Sequence, residues 1–341
     1  MSDKRYLGNI ITQNPTAPAG PYEDGAASGV WSLAEAFAYT KAGLWPTAGN
    51  AAPIGVFSGG YAVSTLVNTL ERITISTLGN STDFGDQAVS RGYNAGGGSD
   101  VRGIEGGGTT GSSSNVIEFN TFASLGNNTD FGDLTVARFE LAAASNNTRT
   151  LFAGGDSASS DNVVDYVTNA TTGNATDFGD TTQTRRYQWS GAASSTRAVF
   201  GGDGSATYDD NVEYFTIAST GNGTNFGTLT DTFEYCSTCA DATRAVWAGQ
   251  SSRTTAMSYI TIASTGNGTD FGDLTKSNNQ MNNGNTSSPT RGIFAGGYFN
   301  NNVIEYITIA TTGNSADFGD LTQTTRFMAG YSSGNASVQS A

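Results

Sequence analysis

The sequence predicts an all-β fold built from six similar units, and three observations predict it. The phenylalanine of a Phe-Gly motif recurs at steps of 47, 47, 48, 45 and 47 residues. The first glycine of a second motif, typified by Phe-Ala-Gly-Gly, recurs at steps of 48, 47, 48, 47 and 47 residues. Glycine is abundant (45 of 341 residues) and charged residues are few, which is typical of turn-rich β structure. Two markers that keep one period over six copies indicate a repeat architecture. The markers are Phe84, Phe131, Phe178, Phe226, Phe271 and Phe318, and Gly59, Gly107, Gly154, Gly202, Gly249 and Gly296.

Each repeat contains four short segments of strand character, separated by turn signals. One runs from an arginine to a double glycine, as in Arg149–Gly155. The next alternates apolar and polar residues, as in Asn302–Ile309, so one of its faces is expected to be buried. A third surrounds Phe-Gly-Asp-Leu-Thr. Four strands in about 47 residues leave no room for a helix, so each repeat should form a small antiparallel sheet. The fourth segment is small and apolar, and its expected starts are Arg91, Arg138, Arg186, Phe233, Gln280 and Arg326.

The two ends of the repeat region predict a closed ring. The first repeat opens with Pro53–Gly60 but lacks the small apolar strand that should precede it. The chain finishes with that strand alone, at Arg326–Ala336. We therefore expect these segments to pair, completing a six-bladed β-propeller of four-stranded blades over residues 51–341.

Residues 1–50 do not repeat and are expected to form an anchoring segment. Ser32 and Glu35 have the spacing of a capping box, and Gly43 followed by Pro46 ends a helix, so a short helix is predicted over 33–43. The segment is rich in large apolar side chains, which need a surface to pack on. That surface is either the repeat region itself or a partner subunit. The proposed docking residues are Trp31, Phe37, Leu44 and Trp45.

Composition excludes several classes of function. A net charge of −14 argues against a nucleic-acid surface and against binding to anionic membranes. No apolar run approaches the roughly 18 residues of a membrane-spanning helix, and the N-terminus lacks the pattern of a signal peptide. Histidine is absent, and Cys236 and Cys239 form the only pair of cysteines, so we expect neither a zinc site nor a redox centre. No cofactor is predicted.

Acidic pairs recur around the Phe-Gly motif and could be paired carboxylates or calcium ligands. Glycosidase chemistry needs one unique pair, and the spacing of a calcium loop is absent. We therefore expect a tight turn in which aspartate accepts backbone hydrogen bonds, glycine supplies an unusual φ and phenylalanine packs between blades. Calcium binding is the alternative. The pairs are Asp83 with Asp86, Asp130 with Asp133, Asp177 with Asp180, Asp270 with Asp273, and Asp317 with Asp320.

Two further recurring residues have structural interpretations. An arginine at the start of one strand in five repeats is expected to line one level of the ring and pair with acids, with an anion-binding channel as the alternative. Asparagines in Asn-X-Ser/Thr sequences are interpreted as turn residues rather than glycosylation sites. The arginines are Arg102, Arg149, Arg197, Arg244 and Arg291, and the asparagines include Asn80, Asn174, Asn222 and Asn267.

The order of these signals resembles the kelch repeat. That repeat has a double glycine, then an acidic–aromatic pair, then an aromatic residue, then a strand led by arginine. In this chain Gly296–Gly297, Glu305–Tyr306, Phe318 and Arg326 hold those places. The sequence departs from the kelch pattern by having phenylalanine where tryptophan is usual, and Arg72 at one aromatic position.

The amino-acid sequence of the repeats also resembles that of repeat proteins of tailed bacteriophages, especially marine and cyanobacterial ones. Gly29–Pro46 resembles a short module in the same phage structural proteins. The resemblance implies a non-enzymatic virion component of tail, fibre or surface, assembled in the host cytoplasm. It would contact other virion proteins through residues 1–50 and display the propeller for host attachment.

Weak binding of a host glycan would then fall to the loops that vary most among the repeats. One alternative is an architectural cement or decoration protein without an external ligand. Another, a glycan-cleaving enzyme, is disfavoured because no unique acid pair stands out. The variable loops are Gly92–Val101, Asp156–Asn162, Asp203–Asn211 and Asn279–Pro289.

Overall fold

The computed structural model describes residues 34, 52–157, 161–185, 189–202, 210–249, 254–276, 284–297 and 301–334. The chain divides into two compact units, Met1–Pro53 and Ile54–Ala341. Of the helix predicted over 33–43, only Ala34 is described, and it is helical and exposed. Trp31, Phe37, Leu44 and Trp45 lie outside the described residues. In the part of the chain that the model describes, no helix is long and apolar enough to cross a membrane.

The second unit is all β. Its strands, in chain order, are β1 (Ile54–Ser58), β2 (Tyr61–Ala62), β3 (Thr65–Leu66), β4 (Thr69–Thr74), β5 (Thr82–Asp86), β6 (Ala95–Gly98), β7 (Arg102–Gly106), β8 (Val116–Thr121), β9 (Thr129–Asp133), β10 (Ala142–Ser145), β11 (Arg149–Ala153), β12 (Asp161–Thr168), β13 (Thr176–Arg185), β14 (Ser190–Ala193), β15 (Arg197–Gly201), β16 (Asn211–Thr216), β17 (Thr224–Thr228), β18 (Ser237–Ala240), β19 (Arg244–Ala248), β20 (Ala256–Thr261), β21 (Thr269–Asp273), β22 (Asn285–Ser287), β23 (Arg291–Ala295), β24 (Val303–Thr308), β25 (Ala316–Asp320), β26 (Thr325–Arg326) and β27 (Ala329–Ser332).

These strands pair into six four-stranded antiparallel sheets and a smaller three-stranded one. We number the large sheets along the chain and call their strands first to fourth in the order in which they pair. They are sheet 1 (β27, β1, β4, β5), sheet 2 (β6 to β9), sheet 3 (β10 to β13), sheet 4 (β14 to β17), sheet 5 (β18 to β21) and sheet 6 (β22 to β25). The three-stranded sheet has the order β26, β2, β3, which the sequence does not predict.

Sheet 1 is assembled from both ends of the repeat region. Its first strand, β27, pairs antiparallel with β1, so that Val56 lies opposite Tyr331. The sequence predicts this pairing. The first strands of the six sheets contact one another in chain order, and the first strand of sheet 6 contacts β27. They surround an axial cavity of about 30 Å³. The fold is therefore propeller-like.

Burial decreases from the first strand of each sheet to the fourth. First and second strands are buried on both faces, as in Ala142–Ser145 and Arg149–Ala153, so their sequences read as short apolar runs. Third strands bury residues on both faces, as the adjacent Ile304 and Glu305 show, so the expected burial of one face alone was wrong. Each third strand contacts the sheets on either side of its own, which is why neither face is wholly exposed. The first strands begin later than expected, at Ala142 rather than near Arg138. The arginine lies before the strand, where its fully buried side chain donates to the carbonyl of Phe152 and pairs with Asp165 of the same sheet.

Each sheet has two ends with different connections. The back face carries the turns between first and second strands and between third and fourth strands. The front face carries the connections between second and third strands and those from one sheet to the next. The small sheet of β26, β2 and β3 belongs to the front face of sheet 1. This division follows from the antiparallel order within every sheet.

Candidate functional site

The Asp-Phe-Gly-Asp segments form the fourth strands and are not tight turns. In sheet 1, Leu70 pairs with Gly85 and Glu71 with Asp83, so Phe84 is the extra residue of a β-bulge. Its side chain is 2% exposed and packs between sheets, as the sequence predicts. The glycine has φ +150°, which is also as expected. The prediction of a turn was wrong because the bulge gives glycine its special conformation within a continuous strand.

The free edge of each fourth strand is covered by the loop before the fourth strand of the next sheet. The amide of Gly126 donates to the carbonyl of Phe84 (3.0 Å), and the amide of Asn128 donates to that of Asp86 (2.8 Å). The Asn127 side chain accepts the amide of Asp86 at 3.1 Å. The same contacts recur around all six sheets, from sheet 6 back to sheet 1, and they leave few unpaired edge groups.

Asn80, Asn174, Asn222 and Asn267, which lie in Asn-X-Ser/Thr sequences, belong to these covering loops. Each accepts a backbone amide of the preceding sheet through Oδ1, so these asparagines join two sheets and do not stabilise a local turn. Asn127, also in such a sequence, and Asn314, which is followed by Ser315 and Ala316 and so is not, make the same contact. Among the described residues, no three acidic, histidine or cysteine side chains come together as a metal site would require.

The recurring arginines do not line the axial cavity, whose walls are small residues of the first strands. Each guanidinium lies over an aromatic ring of its own sheet, as Arg197 lies 4.2 Å from the ring centre of Tyr214. It also donates to a backbone carbonyl of the next sheet, as Arg197 does to Ile262 at 2.8 Å. The same pattern holds for Arg102, Arg149, Arg244 and Arg291. These arginines recur at one level of the ring of sheets, as expected, but their expected pairing with acids was wrong, because aromatic faces and backbone carbonyls hold the guanidinium charge.

A buried polar side chain in each third strand links its sheet to the preceding one. Glu305 accepts the amide of Thr275 at 3.1 Å, and Asp165 accepts that of Thr135 at 3.2 Å. Burial raises the pKa of Glu305 to about 7, and the Thr275 amide opposes that shift. The six positions are Glu71, Glu118, Asp165, Glu213, Ser258 and Glu305. Their burial and their partners mark them as structural.

The two cysteines lie in and beside the first strand of sheet 5. Neither forms a disulfide and both are fully buried, and the Cys236 thiol approaches the carbonyl of Gly201 at 3.8 Å. Burial raises the pKa of the Cys239 thiol far above its ordinary value. The arrangement is that of small packing residues.

The strongest candidate site is an aromatic cluster on the front face, at the end of the axis. We call it the aromatic mouth and define it by Tyr61, Tyr93, Phe139, Tyr235 and Phe327. The rings of Tyr93 and Phe327 are stacked with centroids 4.2 Å apart. Tyr61 meets both edge-on, and Tyr235 reaches Phe327 from sheet 5. Phe327 is almost fully buried, whereas the three tyrosines are half-buried, so they form the accessible surface of the cluster.

The backbone of the mouth is unusual. In sheets 1, 2, 3 and 5, the residue two places before the first strand is left-handed although it is not glycine. Three of these four residues are aromatic. Such conformations are uncommon for bulky residues and concentrate at functional sites. The positions, with their φ, are Tyr93 (59°), Glu140 (60°), Tyr235 (55°) and Phe327 (57°).

Hydrogen bonds between sheets explain this conformation. The amide of Tyr93 donates to the carbonyl of Phe327 (2.9 Å), and the amide of Glu140 donates to that of Tyr93 (3.0 Å). The left-handed geometry thus turns the peptides of Tyr93 and Glu140 towards their neighbours and joins the connections that lead into sheets 1, 2 and 3 as a backbone belt. Burial, reinforced by the charge of Glu140, raises the pKa of the Tyr93 phenol, which therefore stays a neutral hydrogen-bonding group.

The mouth as a whole was not predicted from the sequence. Gly92–Val101 was among the variable loops expected to recognise a ligand, and Tyr93 lies in it, but the other rings were not singled out. Parts of Asp156–Asn162, Asp203–Asn211 and Asn279–Pro289 lie outside the described residues. A usable signal existed, since Tyr93, Tyr235 and Phe327 occupy equivalent places before the small apolar strands.

The sequence was compared with protein-family models and with curated proteins. No protein-family model matches the chain. No curated protein matches it either.

Proposed function

We propose that this protein is a non-enzymatic structural component of a tailed-phage virion that attaches the particle to a glycan on the host surface. Its repeat region would be a closed six-bladed propeller of kelch-like type, with the aromatic mouth as its glycan site. The virion role rests on the resemblance of the repeats and of Gly29–Pro46 to phage structural proteins. The observation that carries the binding role is the aromatic mouth.

Two sets of contacts support a closed ring. The first strands contact one another in order, with β22 contacting β27. The covering-loop contacts also pass from sheet 6 to sheet 1, where the amide of Gly79 donates to the carbonyl of Phe318 at 2.9 Å. An open stack of sheets would leave one fourth strand without this cover.

Half-buried tyrosine rings beside polar groups suit carbohydrate recognition. A tyrosine ring offers an apolar face on which the C–H groups of a sugar can pack, and its hydroxyl exchanges hydrogen bonds with sugar hydroxyls. Tyr61, Tyr93 and Tyr235 are held in place by ring packing, and Tyr93 also by the backbone belt, so little conformational entropy is lost on binding. Individual sites of this kind bind weakly, and several copies on one particle would strengthen attachment.

Glycan-array binding of the full-length protein tests the proposal. Tyr61→Ala and Tyr93→Asn should each abolish binding to whatever glycan the wild type selects, and asparagine tolerates the left-handed conformation at position 93. Leu125→Thr is the matched control on the back face, because Leu125 is 59% exposed and threonine occupies the equivalent place in four repeats. Equal binding by wild type and both tyrosine variants would refute the site.

An architectural cement role is the second candidate, and exposed apolar residues on the back face favour it. Leu78, Val101 and Leu125 are 57%, 55% and 59% exposed, and all three belong to back-face turns of sheets 1 and 2. Leu78→Thr with Leu125→Thr should then prevent incorporation into particles while leaving the thermal midpoint unchanged. Normal incorporation of this variant would remove the support that these residues give.

A further inference from the structure

The interface between sheets 1 and 2 contains a buried carboxylate surrounded by amide donors, at a position where the other five sheets have an aromatic residue. The carboxylate is that of Glu105, the centre of a polar cluster and fully buried in the second strand of sheet 2. The register places Glu105 opposite Glu118, and the equivalent residues of the other five sheets are aromatic. These are Phe57, Phe152, Phe200, Trp247 and Phe294.

Several neighbours of Glu105 are polar where the other repeats have apolar residues. Gln87 stands where four other repeats have leucine, at Leu134, Leu229, Leu274 and Leu321. Asn94 stands where others have Leu141, Trp189, Cys236 and Met328. These changes concern one interface and one carboxylate, so they form a single feature.

The cluster is hydrogen-bonded around the carboxylate. Gln87 donates to Glu105 Oε1 (2.8 Å), Asn94 donates to Oε2 (3.1 Å), and Ser58 donates its hydroxyl. Asn128 donates to Oε1 at 2.6 Å, and Arg91 lies 3.6 Å from the same oxygen. Burial raises the pKa of Glu105, and Arg91 opposes that shift.

This cluster costs stability that an apolar interface would not. A buried ionic group replaced by well-packed apolar residues often leaves a protein equally or more stable. Asn94 Oδ1 is buried and has no hydrogen-bond partner among the described residues, a further cost. At the position of Glu105, the other five sheets have an aromatic residue instead. The polar version therefore needs a reason other than stability.

The position of the cluster provides a reason other than stability, because the cluster holds both ends of the loop that carries Tyr93. Asn94 is bonded to Glu105, and Arg91 Nη2 lies 2.8 Å from Glu118 Oε2. The Arg91 guanidinium also donates to the carbonyl of Val116 at 2.9 Å. Tyr93 sits between these two fixed residues, in its left-handed conformation at the aromatic mouth.

We propose that Glu105 and Asn94 are positioning residues for the aromatic mouth, fixing the Tyr93 ring for the glycan. This inference rests on the proposed glycan site. The cluster replaces apolar packing, which tolerates small shifts, with directional hydrogen bonds that allow one loop position. Neither residue touches the ligand.

The experiment measures the position of Tyr93 without any ligand. 3-Fluorotyrosine placed at position 93 of the full-length protein gives a single ¹⁹F resonance. Two variants restore the apolar residues of the other repeats: Asn94→Leu alone, and Gln87→Leu with Asn94→Leu and Glu105→Phe. Both should shift or broaden the resonance and weaken binding of the array-selected glycan about tenfold, about 1.4 kcal/mol. The triple variant should keep or raise the thermal midpoint.

Asn169→Ile is the matched control. It also restores an apolar residue of the other repeats, since Ile75, Ile217, Ile262 and Ile309 hold the equivalent place, and Asn169 is buried next to the back face. It should leave the resonance and the binding unchanged. If the triple variant fails to fold, the ¹⁹F resonance and the glycan binding of Asn94→Leu alone test the inference.

An unchanged resonance in folded Asn94→Leu would overturn the inference, as would an equal shift in Asn169→Ile. If the wild type binds no glycan, the proposed function fails, and the resonance still decides whether the cluster positions Tyr93.

Discussion

Gly132 and Gly173 meet where the covering loop of sheet 3 lies on the fourth strand of sheet 2. A Cβ atom at Gly132 would lie 2.4 Å from the carbonyl oxygen of Gly173. The same glycine–glycine approach recurs at the other five junctions, including Gly319 with Gly79 between sheets 6 and 1. The most regular part of the repeat is therefore the part that joins one sheet to the next.

Gly132→Ala should destabilise the protein by about 3 kcal/mol, because overpacking against backbone adds to the strain of an alanine at φ +148°. Chemical denaturation of the full chain measures the loss. Gly111→Ala is the control, since Gly111 has φ +109° but open space around its missing Cβ. Equal losses in the two variants would contradict the steric explanation.

Arg197→Lys should cost about 1 kcal/mol, because lysine cannot both cover the Tyr214 ring and reach the Ile262 carbonyl. Its partners are neutral, so the loss should change little with salt concentration. Denaturation at low and high sodium chloride checks this. A loss that disappears at high salt would indicate an acidic partner instead.

Glu305 should make stability depend on pH. Its folded pKa of about 7 exceeds the ordinary 4.5, so the folded state holds this proton more tightly than the unfolded state. Its contribution is fully present below pH 4.5 and is lost as the pH rises through 7. Two variants should remove this part of the pH dependence. They are Glu305→Gln and Glu305→Ser, the second because Ser258 holds the equivalent place in sheet 5. Thermal midpoints measured from pH 4.5 to above pH 7 test this prediction. If the midpoint of both variants changes with pH as it does in the wild type, the prediction is wrong.

The two cysteines should not react with a thiol reagent in the folded protein, because both are fully buried and burial suppresses the Cys239 thiolate. Two thiols should react once the chain is denatured. Rapid modification of the native protein, or retention of zinc after dialysis, would contradict a packing role.

Deleting Met1–Pro46 should leave a folded, soluble repeat region that no longer joins particles. Ile54–Ala341 is a compact unit by its own contacts, and its sheet 1 is completed by β27 rather than by the N-terminal segment. Circular dichroism and particle-incorporation assays measure the two outcomes. An insoluble truncated protein would place the segment in the core of the repeat region.

Much of the fold could be predicted because the information is local and repeated. Alternation in Asn302–Ile309 and the double glycines locate strands and their ends, and the split repeat predicts that β27 pairs with β1. The predicted turn at Asp-Phe-Gly-Asp failed for a related reason. Short-range turn signals cannot distinguish a turn from a bulge that a neighbouring sheet completes.

The all-β class, the repeat and the pairing of its ends follow from the order of residues, since a period of about 47 residues and strand-length apolar runs are properties of the chain alone. Which side chains and backbone groups contact one another across sheets depends on how the sheets pack. This packing places the arginines on rings and carbonyls, gathers Tyr61, Tyr93 and Phe327 at one end of the axis, and surrounds Glu105 with amides. Asn120 and Tyr331, 211 positions apart, are hydrogen-bonded at 2.6 Å. Contacts of this range depend on how sheets meet, and no local pattern encodes that.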